Sequence, residues 1–411
     1  MRTVFGGGRI FDGSGAAPAA GDLAVEDGRI VAVGTDLDGD AHVDCRGRTL
    51  LPGLIDCHVH MAWRTEDFDE LGFAYRPFSY RFFAIPESLR RTLACGITTV
   101  RDAGGADLGL KRAVDDGLLA GPRVQISVAM LSQTGGHADF RLPSGVDGAY
   151  DLRYPGMPPA TCDGVDGVTR RVREVIRAGA DVVKICATGG YVSPADDPHH
   201  LCFSAEEIEA AVMTAADLGR PVMAHAHGVE GIKRATRAGV RSIEHGTFMD
   251  EEAAALMVEH GTWLVPTLTT GDATESMAAD PALPEAVRAK MQGVGTPELD
   301  AFRLAVEAGV KVAMGTDCPE TPHGTNLREL VLMAENGFTP AQALTAATAG
   351  AAELLGLAAE LGTLAPGKRA DVVVVSGDAL DFTRLPERIE HVFKDGVRVA
   401  GSALDSNSGQ T

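Results

Sequence analysis

Leu51-Pro-Gly-Leu-Ile-Asp-Cys-His-Val-His60 is an apolar run that ends in two histidines separated by one residue. Side chains at positions i and i+2 of a strand point to the same face. His58 and His60 can therefore reach one point beyond the carboxyl end of the strand that this run predicts. A His-X-His pair alone is a weak signal, because most histidines are ordinary core or surface residues. Its meaning depends on what the rest of the chain places beside it.

Seven further apolar runs follow, most of them separated by amphipathic stretches such as 204–219. The eight predicted strands are 50–55, 98–102, 124–128, 182–185, 222–226, 242–245, 263–267 and 311–314. Apolar strands alternating with helices are typical of a parallel sheet, and the count of eight predicts an α/β fold of the (β/α)8 TIM barrel type. An open doubly wound sheet is the alternative, but no Gly-X-Gly-X-X-Gly motif follows the first strand, as it would in nucleotide-binding versions.

The two ends of the chain have a different pattern, with short alternating segments separated by glycine. Asp27-Gly28 and Asp395-Gly396 are dipeptides typical of tight turns between antiparallel strands. Because a two-stranded hairpin is barely stable alone, we expect both ends to combine into one small β-sandwich. The predicted organisation is a composite β-sandwich domain of residues 1–55 plus 363–411 and a barrel domain of residues 56–362.

The chain has 411 residues, with 37 Lys or Arg against 57 Asp or Glu, and a formal net charge of -20 at pH 7. This charge disfavours nucleic acids and anionic membranes as partners. No apolar run has the length of a signal peptide or a membrane span. The seven cysteines include no Cys-X-X-Cys pair and suit reduced thiols. We therefore expect a cytoplasmic location, with no nucleic-acid or membrane partner.

Other metal-ligating side chains end apolar runs in the same way as His58 and His60. They are Lys184, His225, His245 and Asp317. The first and last strands of a closed barrel are neighbours, so His58, His60 and Asp317 could bind one divalent metal ion.

The fifth and sixth predicted strands are also neighbours, so His225 and His245 could bind a second metal ion. His227, in Pro221-Val-Met-Ala-His-Ala-His227, competes with His225 for this role. We prefer His225 because the apolar run ends there. His227 is then expected to support the ligands or to contact the substrate.

Lys184 lies inside the apolar run Ala180-Asp-Val-Val-Lys-Ile185. A buried lysine loses much of its tendency to carry a charge, because the ammonium is poorly solvated there. A neutral amine can take up CO2 to form a carbamate, whose two oxygens could bridge two metal ions about 4 Å apart. The alternative is an ordinary lysine in a salt bridge at the barrel mouth.

These residues resemble the amidohydrolase superfamily over nearly the whole chain. The resemblance rests on the 51–60 run, the lysine of the fourth strand, the two later strand-end histidines and Gly315-Thr-Asp317. The segments Gly96-Ile-Thr-Thr-Val-Arg-Asp-Ala-Gly104 and Thr134-Gly-Gly-His-Ala-Asp139 further resemble its prolidase-like, peptide-cleaving branch, which includes Xaa-Pro dipeptidases and ochratoxin-hydrolysing amidases. The resemblance implies a binuclear enzyme, commonly with zinc and an N-carboxylated lysine, that cleaves amide bonds of dipeptides or N-acyl amino acids. Relatives of this kind are often homo-oligomers.

With two metal ions present, a bridging hydroxide is the expected nucleophile. Asp317 is expected to take its proton and pass it to the departing nitrogen. His137, in Gly135-Gly-His137, and His245 are the other predicted catalytic residues, because a histidine near the metals could help to polarise the carbonyl oxygen. We predict that His137, His227 and Tyr191 contact the substrate. The alternative for His137 is a loop histidine that stabilises its own glycine turn.

Two other functional classes remain open at this point. A mononuclear cyclic-amide hydrolase or deaminase, of the imidazolonepropionase kind, would not need the bridging ligand that Lys184 offers. Deaminases also use a His-X-X-Glu proton shuttle, whereas Glu230 lies five residues beyond His225. A scaffold without activity would be expected to have lost ligands, and all six positions are filled here.

Overall fold

The computed structural model describes residues 1–68, 75–141, 144–145, 154–193, 195–280, 285–292 and 294–401. The last ten residues of the predicted composite domain, 402–411, lie outside this part of the chain. The strands in chain order are β1 (Thr3–Ile10), β2 (Ala19–Glu26), β3 (Arg29–Gly34), β4 (Ala41–Asp44), β5 (Arg48–Pro52), β6 (Leu54–Val59), β7 (Ile97–Asp102), β8 (Arg123–Ile126), β9 (Met130–Leu131), β10 (Val183–Cys186), β11 (Val222–Ala226), β12 (Ser242–His245), β13 (Trp263–Val265), β14 (Val372–Ser376), β15 (Ile389–Lys394) and β16 (Val397–Gly401).

Strands from both ends of the chain form one eight-stranded sheet, in the order β16-β15-β14-β5-β1-β2-β3, with β4 paired to β1. The two ends meet where β14 runs antiparallel to β5. The predicted Asp-Gly turns are confirmed: Asp27 and Gly28 have φ values of 50° and 76°, and Asp395 and Gly396 have 53° and 74°. Positive φ at both central residues is what a tight turn between twisted strands requires. The amino-terminal and carboxyl-terminal parts of the chain are therefore paired in one sheet.

The remaining strands are parallel and buried. Strands β6, β7 and β8 form one sheet, and β9 to β13 form a second sheet in sequential order. Residues 311–318 lie between these two sheets: Val312 forms an isolated parallel bridge with Leu264 of β13, and Cys318 forms one with Val59 of β6. The amide of Cys57 also donates to Met314 O at 2.8 Å. This segment therefore links the outer strands β13 and β6.

Two of the strand predictions are wrong in detail. The predicted strand 50–55 is divided at Gly53, because β5 belongs to the eight-stranded mixed sheet and β6 to the parallel sheet of β6, β7 and β8. A Cβ on Gly53 would clash with Thr98 Oγ1, so the chain can cross between the sheets there only with glycine. The predicted strand 311–314 is not a continuous strand, since the segment makes only the isolated bridges just described.

Helices cover the parallel strands on the outside. They are α1 (Tyr80–Ala94), α2 (Leu108–Asp115), α3 (Gly164–Arg177), α4 (Ala205–Asp217), α5 (Val229–Ala238), α6 (Glu251–His260), α7 (Thr269–Ala278), α8 (Glu285–Met291), α9 (Gly295–Ala308), α10 (Arg328–Glu335), α11 (Pro340–Ala346) and α12 (Ala349–Leu354), with short 3-10 turns at Thr65–Phe68 and Leu385–Arg388. Helix α4 confirms the predicted amphipathic stretch: Ser204 and Glu207 form a capping box at its start, and it buries Ile208, Ala211 and Ala215. Among the described helices, none combines the length and apolar content needed to cross a bilayer.

Candidate metal centre

The end of β6 and the segment after Met314 bring three predicted ligands together. Asp317 Oδ1 lies 3.0 Å from His60 Nε2 and 3.3 Å from His58 Nε2, and all three side chains are buried. The amide of Asp317 donates to His58 O at 2.7 Å, which fixes the segment against β6. Asp317 has a φ of 58°, an uncommon conformation for a residue other than glycine.

The other nitrogen of each of these rings is already bound by the protein. His58 Nδ1 lies 2.7 Å from Glu244 Oε2, and His60 Nδ1 lies 2.8 Å from Gly104 O. A carboxylate and a carbonyl can only accept, so both Nδ1 atoms donate, and each Nε2 atom is left to face the Asp317 carboxylate. Two imidazole nitrogens and a carboxylate oxygen thus converge on one point, where a divalent cation would be bound by all three.

A buried ion pair that the sequence reasoning missed holds His58 in place. Arg101, on β7, donates from one guanidinium nitrogen to both oxygens of Glu244 at 2.9 Å, and also donates to Cys57 O at 2.6 Å. Glu244, on β12, is fully buried. Although burial opposes ionisation, Arg101 and His58 lower the pKa of Glu244 to about 2, so it remains a carboxylate. The sequence does carry a signal for this ion pair, namely a charged residue inside each of two apolar strands: Arg101 in β7 and Glu244 in β12.

Strands β11 and β12 place three more histidines side by side, His225, His227 and His245. One ring nitrogen from each lies within 4.8 Å of the others. His225 Nε2 donates to Gly189 O at 3.0 Å, which leaves its Nδ1 free. His227 therefore lies in the same group as the two predicted ligands, His225 and His245. The geometry does not by itself favour His225 over His227 as a metal ligand.

Hydroxyl groups orient the other two rings of this second group. His245 Nδ1 lies 2.8 Å from Thr267 Oγ1, and His227 Nδ1 lies 2.7 Å from Thr247 Oγ1. Burial lowers the pKa of His225, His227 and His245 well below the usual range, so the rings are neutral and can act as ligands. The His245 ring also lies 5.1 Å, between centroids, from the ring of His58, so the two groups are adjacent.

Lys184, in the middle of β10, lines the same cavity as both groups. Its side chain is only 1% exposed. Burial lowers the pKa of the Lys184 ammonium, which favours the neutral amine. The predicted alternative, a salt-bridged lysine, is not observed, since Lys184 has no ion pair or hydrogen bond with any other described residue.

His137 packs against the second group, with its ring stacked on His225 at 4.1 Å between centroids. Its Nδ1 lies 3.1 Å from Ser193 Oγ, which in turn donates to Asp196. Burial lowers the pKa of His137 to about 4. Lys290, on α8, holds this loop by donating to Ser193 O at 2.6 Å and to Asp196 O at 3.0 Å. These bonds therefore hold the His137 ring against His225, at the wall of the cavity.

The cavity over the two groups spans about 480 Å³ of space that is partly open to solvent, and a neighbouring space of about 320 Å³ shares His137, His225 and Asp317 with it. Tyr191 lines the smaller space, with its ring packed edge-on against His227 at 4.7 Å. Glu320, which the sequence reasoning did not single out, lines both spaces. Both spaces open beside the two groups of ligand candidates, so a small molecule bound there would lie against them.

The donors present fit divalent metal ions. Imidazole nitrogens and a carboxylate are the ligands that zinc accepts, and most of the histidine rings have their second nitrogen bound by a carboxylate, carbonyl or hydroxyl group of the protein. An adjacent buried amine could complete the set. The arrangement can thus hold metal next to a cavity that opens to solvent.

Comparisons with known proteins agree with this geometry. The family model described as "Amidohydrolase family" matches residues 49–399. The ochratoxinase of Aspergillus niger is 34% identical over 423 aligned positions, covering 98% of this chain and 87% of the relative. A Xaa-Pro dipeptidase structure with bound methionine has a TM-score of 0.88 and 36% identity, covering 97% of this chain and 99% of that one. A prolidase structure in complex with N-methylphosphonate-L-proline has a TM-score of 0.89 and 37% identity, covering 98% and 100%. The chain belongs to the amidohydrolase family, in its prolidase- and ochratoxinase-like branch, and is a hydrolase of carbon–nitrogen bonds.

Proposed function

We propose that this protein is a binuclear metal-dependent amidohydrolase that cleaves the amide bond of a dipeptide or an N-acyl amino acid. The observation that carries the proposal is the convergence of ligand atoms from His58, His60 and Asp317 beside a second group of neutral histidines. The names of the relatives, a Xaa-Pro dipeptidase and an ochratoxinase, support the substrate class.

In this proposal His58, His60 and Asp317 hold one zinc ion, and His225 and His245 hold the other. His227 is the alternative ligand in the second group. Lys184, once N-carboxylated, would be a further ligand of this centre, since its buried side chain lines the cavity together with residues of both groups. The chemistry that two bound divalent cations supply is a water molecule made nucleophilic near neutral pH and a polarised amide carbonyl.

Asp317 has the central role among the protein groups. Its carboxylate lies within 3.3 Å of His58 Nε2 and His60 Nε2 and lines the cavity, so it is placed to act as a base. It takes the proton of the attacking water and delivers it to the departing nitrogen, because an amide anion is a very poor leaving group. His245 and His137 line the cavity where the carbonyl oxygen would lie, and His137, His227 and Tyr191 contact the rest of the substrate.

The interpretation of the two sheet regions as a barrel and a β-sandwich is also part of this proposal. The two parallel sheets, linked through residues 311–318, are interpreted as a (β/α)8 barrel with the metal centre at the carboxyl ends of its strands. The eight-stranded sheet is interpreted as the β-sandwich, with the division at 1–55 plus 363–411 and 56–362. A cytoplasmic homo-oligomer with a small amide substrate, and no nucleic-acid or membrane partner, is expected on the sequence and the resemblance alone.

Metal analysis and a substrate screen test this function together. Protein reconstituted with zinc and bicarbonate should contain close to two metal ions per chain and should hydrolyse members of a panel of dipeptides and N-acyl amino acids. One metal ion per chain with no effect of bicarbonate, together with turnover of cyclic amides only, would favour the mononuclear imidazolonepropionase-like alternative. Metal-loaded protein that is inactive both on this panel and on cyclic amides would contradict both enzymes.

A further inference from the structure

A short turn between β13 and α7 is bound to both groups of ligand candidates. The hydroxyl group of Thr267 lies 2.8 Å from His245 Nδ1, in the second group. The hydroxyl group of Thr269 donates to Thr316 O at 2.9 Å, in the residue that precedes Asp317 of the first group. Two hydroxyl groups of one turn thus contact the backbone or the side chain that holds a ligand in each group.

Buried hydrogen bonds hold this turn in an unusual conformation. Thr267 has a φ of 52°, which is rare for a residue that is branched at Cβ. The amides of Leu268 and Thr269 donate to different oxygens of Glu329, each at 2.9 Å. Thr267, Thr269 and Glu329 are at most 1% exposed. A strained backbone persists only where the surrounding structure fixes it, and the Glu329 carboxyl group supplies that support here.

The peptide group between Thr316 and Asp317 is bound at both ends. Its oxygen accepts from the Thr269 hydroxyl group, and its N–H donates to His58 O at 2.7 Å. Asp317 has a φ of 58°. Because the peptide group is planar, bonds to both its oxygen and its N–H prevent it from turning to relieve that φ. The Thr316 side chain is held separately, by a 2.7 Å bond from its hydroxyl group to Asp56, so loss of the Thr269 bond should free the peptide group without detaching the segment.

We propose that Thr267 and Thr269 are positioning residues for the metal centre, one for each group of ligands. Thr267 orients the His245 ring through its Nδ1 atom. Thr269 orients Asp317 through the peptide group that begins at Thr316. This inference rests on the proposed function, because it takes His245 and Asp317 as metal ligands, and it deepens that function by making a single turn responsible for the alignment of both ligand groups. Partners of this kind commonly change metal affinity 10- to 100-fold when they are removed, an order-of-magnitude range of about one to two decades.

Zinc binding by variants of the two threonines tests this without any need for turnover. Valine keeps the branched shape of threonine and lacks its hydroxyl group, so Thr267→Val and Thr269→Val each remove one of the two contacts. We expect each variant to bind zinc about tenfold more weakly than the wild type, or weaker still, in competition with a chromophoric chelator. Thr267→Ser and Thr269→Ser keep the hydroxyl group and should bind zinc within about twofold of the wild type.

Thr262→Val is the matched control. Thr262 is 2% exposed, and its hydroxyl group donates to Val240 O at 3.3 Å, next to the amino ends of β12 and β13 and thus away from the ligands. In metal-free protein this variant should lose thermal stability as the other two valine variants do, because each loses one buried hydrogen bond. Its zinc affinity should equal that of the wild type. Thr267→Ala or Thr269→Ala replaces a valine variant that fails to fold.

Two results would overturn the inference. One is a zinc affinity in Thr267→Val or Thr269→Val that equals that of Thr262→Val. The other is an equal loss of affinity in the serine variants, which would assign the effect to the packing of the methyl group. The outcome is separable from that of the proposed function. Weaker zinc binding by the valine variants of a protein that cleaves no amide would contradict the proposed function alone, and an active amidase whose valine variants bind zinc normally would contradict this inference alone.

Discussion

Glu244 Oε2 lies 2.7 Å from His58 Nδ1, although the two residues are 186 positions apart in the chain. Glu244 is not among the described residues that line the two spaces at the site, so its contact with His58 is a positioning one. The carboxylate fixes which ring nitrogen of His58 carries the proton and so leaves Nε2 free for the metal. The orientation of a proposed metal ligand on β6 is in this way set by a residue of β12, which belongs to the other parallel sheet.

Replacing Glu244 should therefore weaken metal binding without removing any ligand. We expect Glu244→Gln to lower zinc affinity about 10- to 100-fold, because the His58 ring loses its charged partner and Arg101 is left unpaired. Competition with a chromophoric chelator measures the affinity. Glu252→Gln, at an exposed residue paired with Lys233, is the control. Zinc affinity equal to that of the wild type would show that the His58 contact has no such role.

Removal of Lys184 tests the bridge between the two groups. Lys184→Ala should lose metal, because the N-carboxylated lysine is proposed as a ligand of this centre, and short carboxylic acids should restore part of the metal and activity by occupying the space. Metal content by mass spectrometry, with and without added acetate or propionate, measures this. Lys311→Ala, at an exposed lysine paired with Glu353, should keep its metal in both conditions. Full activity of Lys184→Ala without any added acid would exclude the carbamate bridge.

Asp317 is tested by a change that keeps its shape. Asp317→Asn should lower turnover by at least about 100-fold, because an amide cannot accept the proton of the attacking water. His58 and His60 remain, so metal should be retained, and the metal content of the purified variant checks that. Asp300→Asn, at an exposed residue of α9, is the control. Unchanged turnover in Asp317→Asn would remove this carboxylate from the proton transfer.

The six candidate ligands could be proposed from sequence because five of them lie at or just past the end of a buried apolar run and Lys184 is a charged residue within one, and parallel strands bring their carboxyl ends to one edge. The partners of those ligands could not be predicted in the same way. Arg101 and Glu244 are 143 residues apart, and a charged residue within a strand shows that some partner exists without showing which.

Local backbone geometry accounts for the other errors. The run 50–55 is apolar throughout, so its hydrophobic pattern gives no sign that Gly53 separates strands of two different sheets. The segment 311–314 has the composition of a strand, but backbone pairing depends on its neighbours, and it forms only isolated bridges. Glu320 was overlooked because a single acidic residue in a loop has no periodic or spacing signal.

The pH dependence of folding should reflect Glu329 on α10, a fully buried carboxyl that accepts hydrogen bonds from the amides of Leu268 and Thr269, each at 2.9 Å. Burial raises its pKa from 4.5 to about 8 in the folded chain. The folded state therefore holds this proton after the unfolded state has lost it, so the contribution to stability is fully present below pH 4.5 and declines as the pH rises towards about 8. Glu329→Gln carries no such proton, and its Tm relative to that of the wild type should rise with pH over this interval in metal-free protein. Thermal unfolding of both proteins from pH 4 to 9 measures the difference, with Glu335→Gln, at an exposed position of the same helix, as the control. A Tm difference between Glu329→Gln and the wild type that stays constant across the range would mean that Glu329 ionises at its ordinary pH in the folded protein.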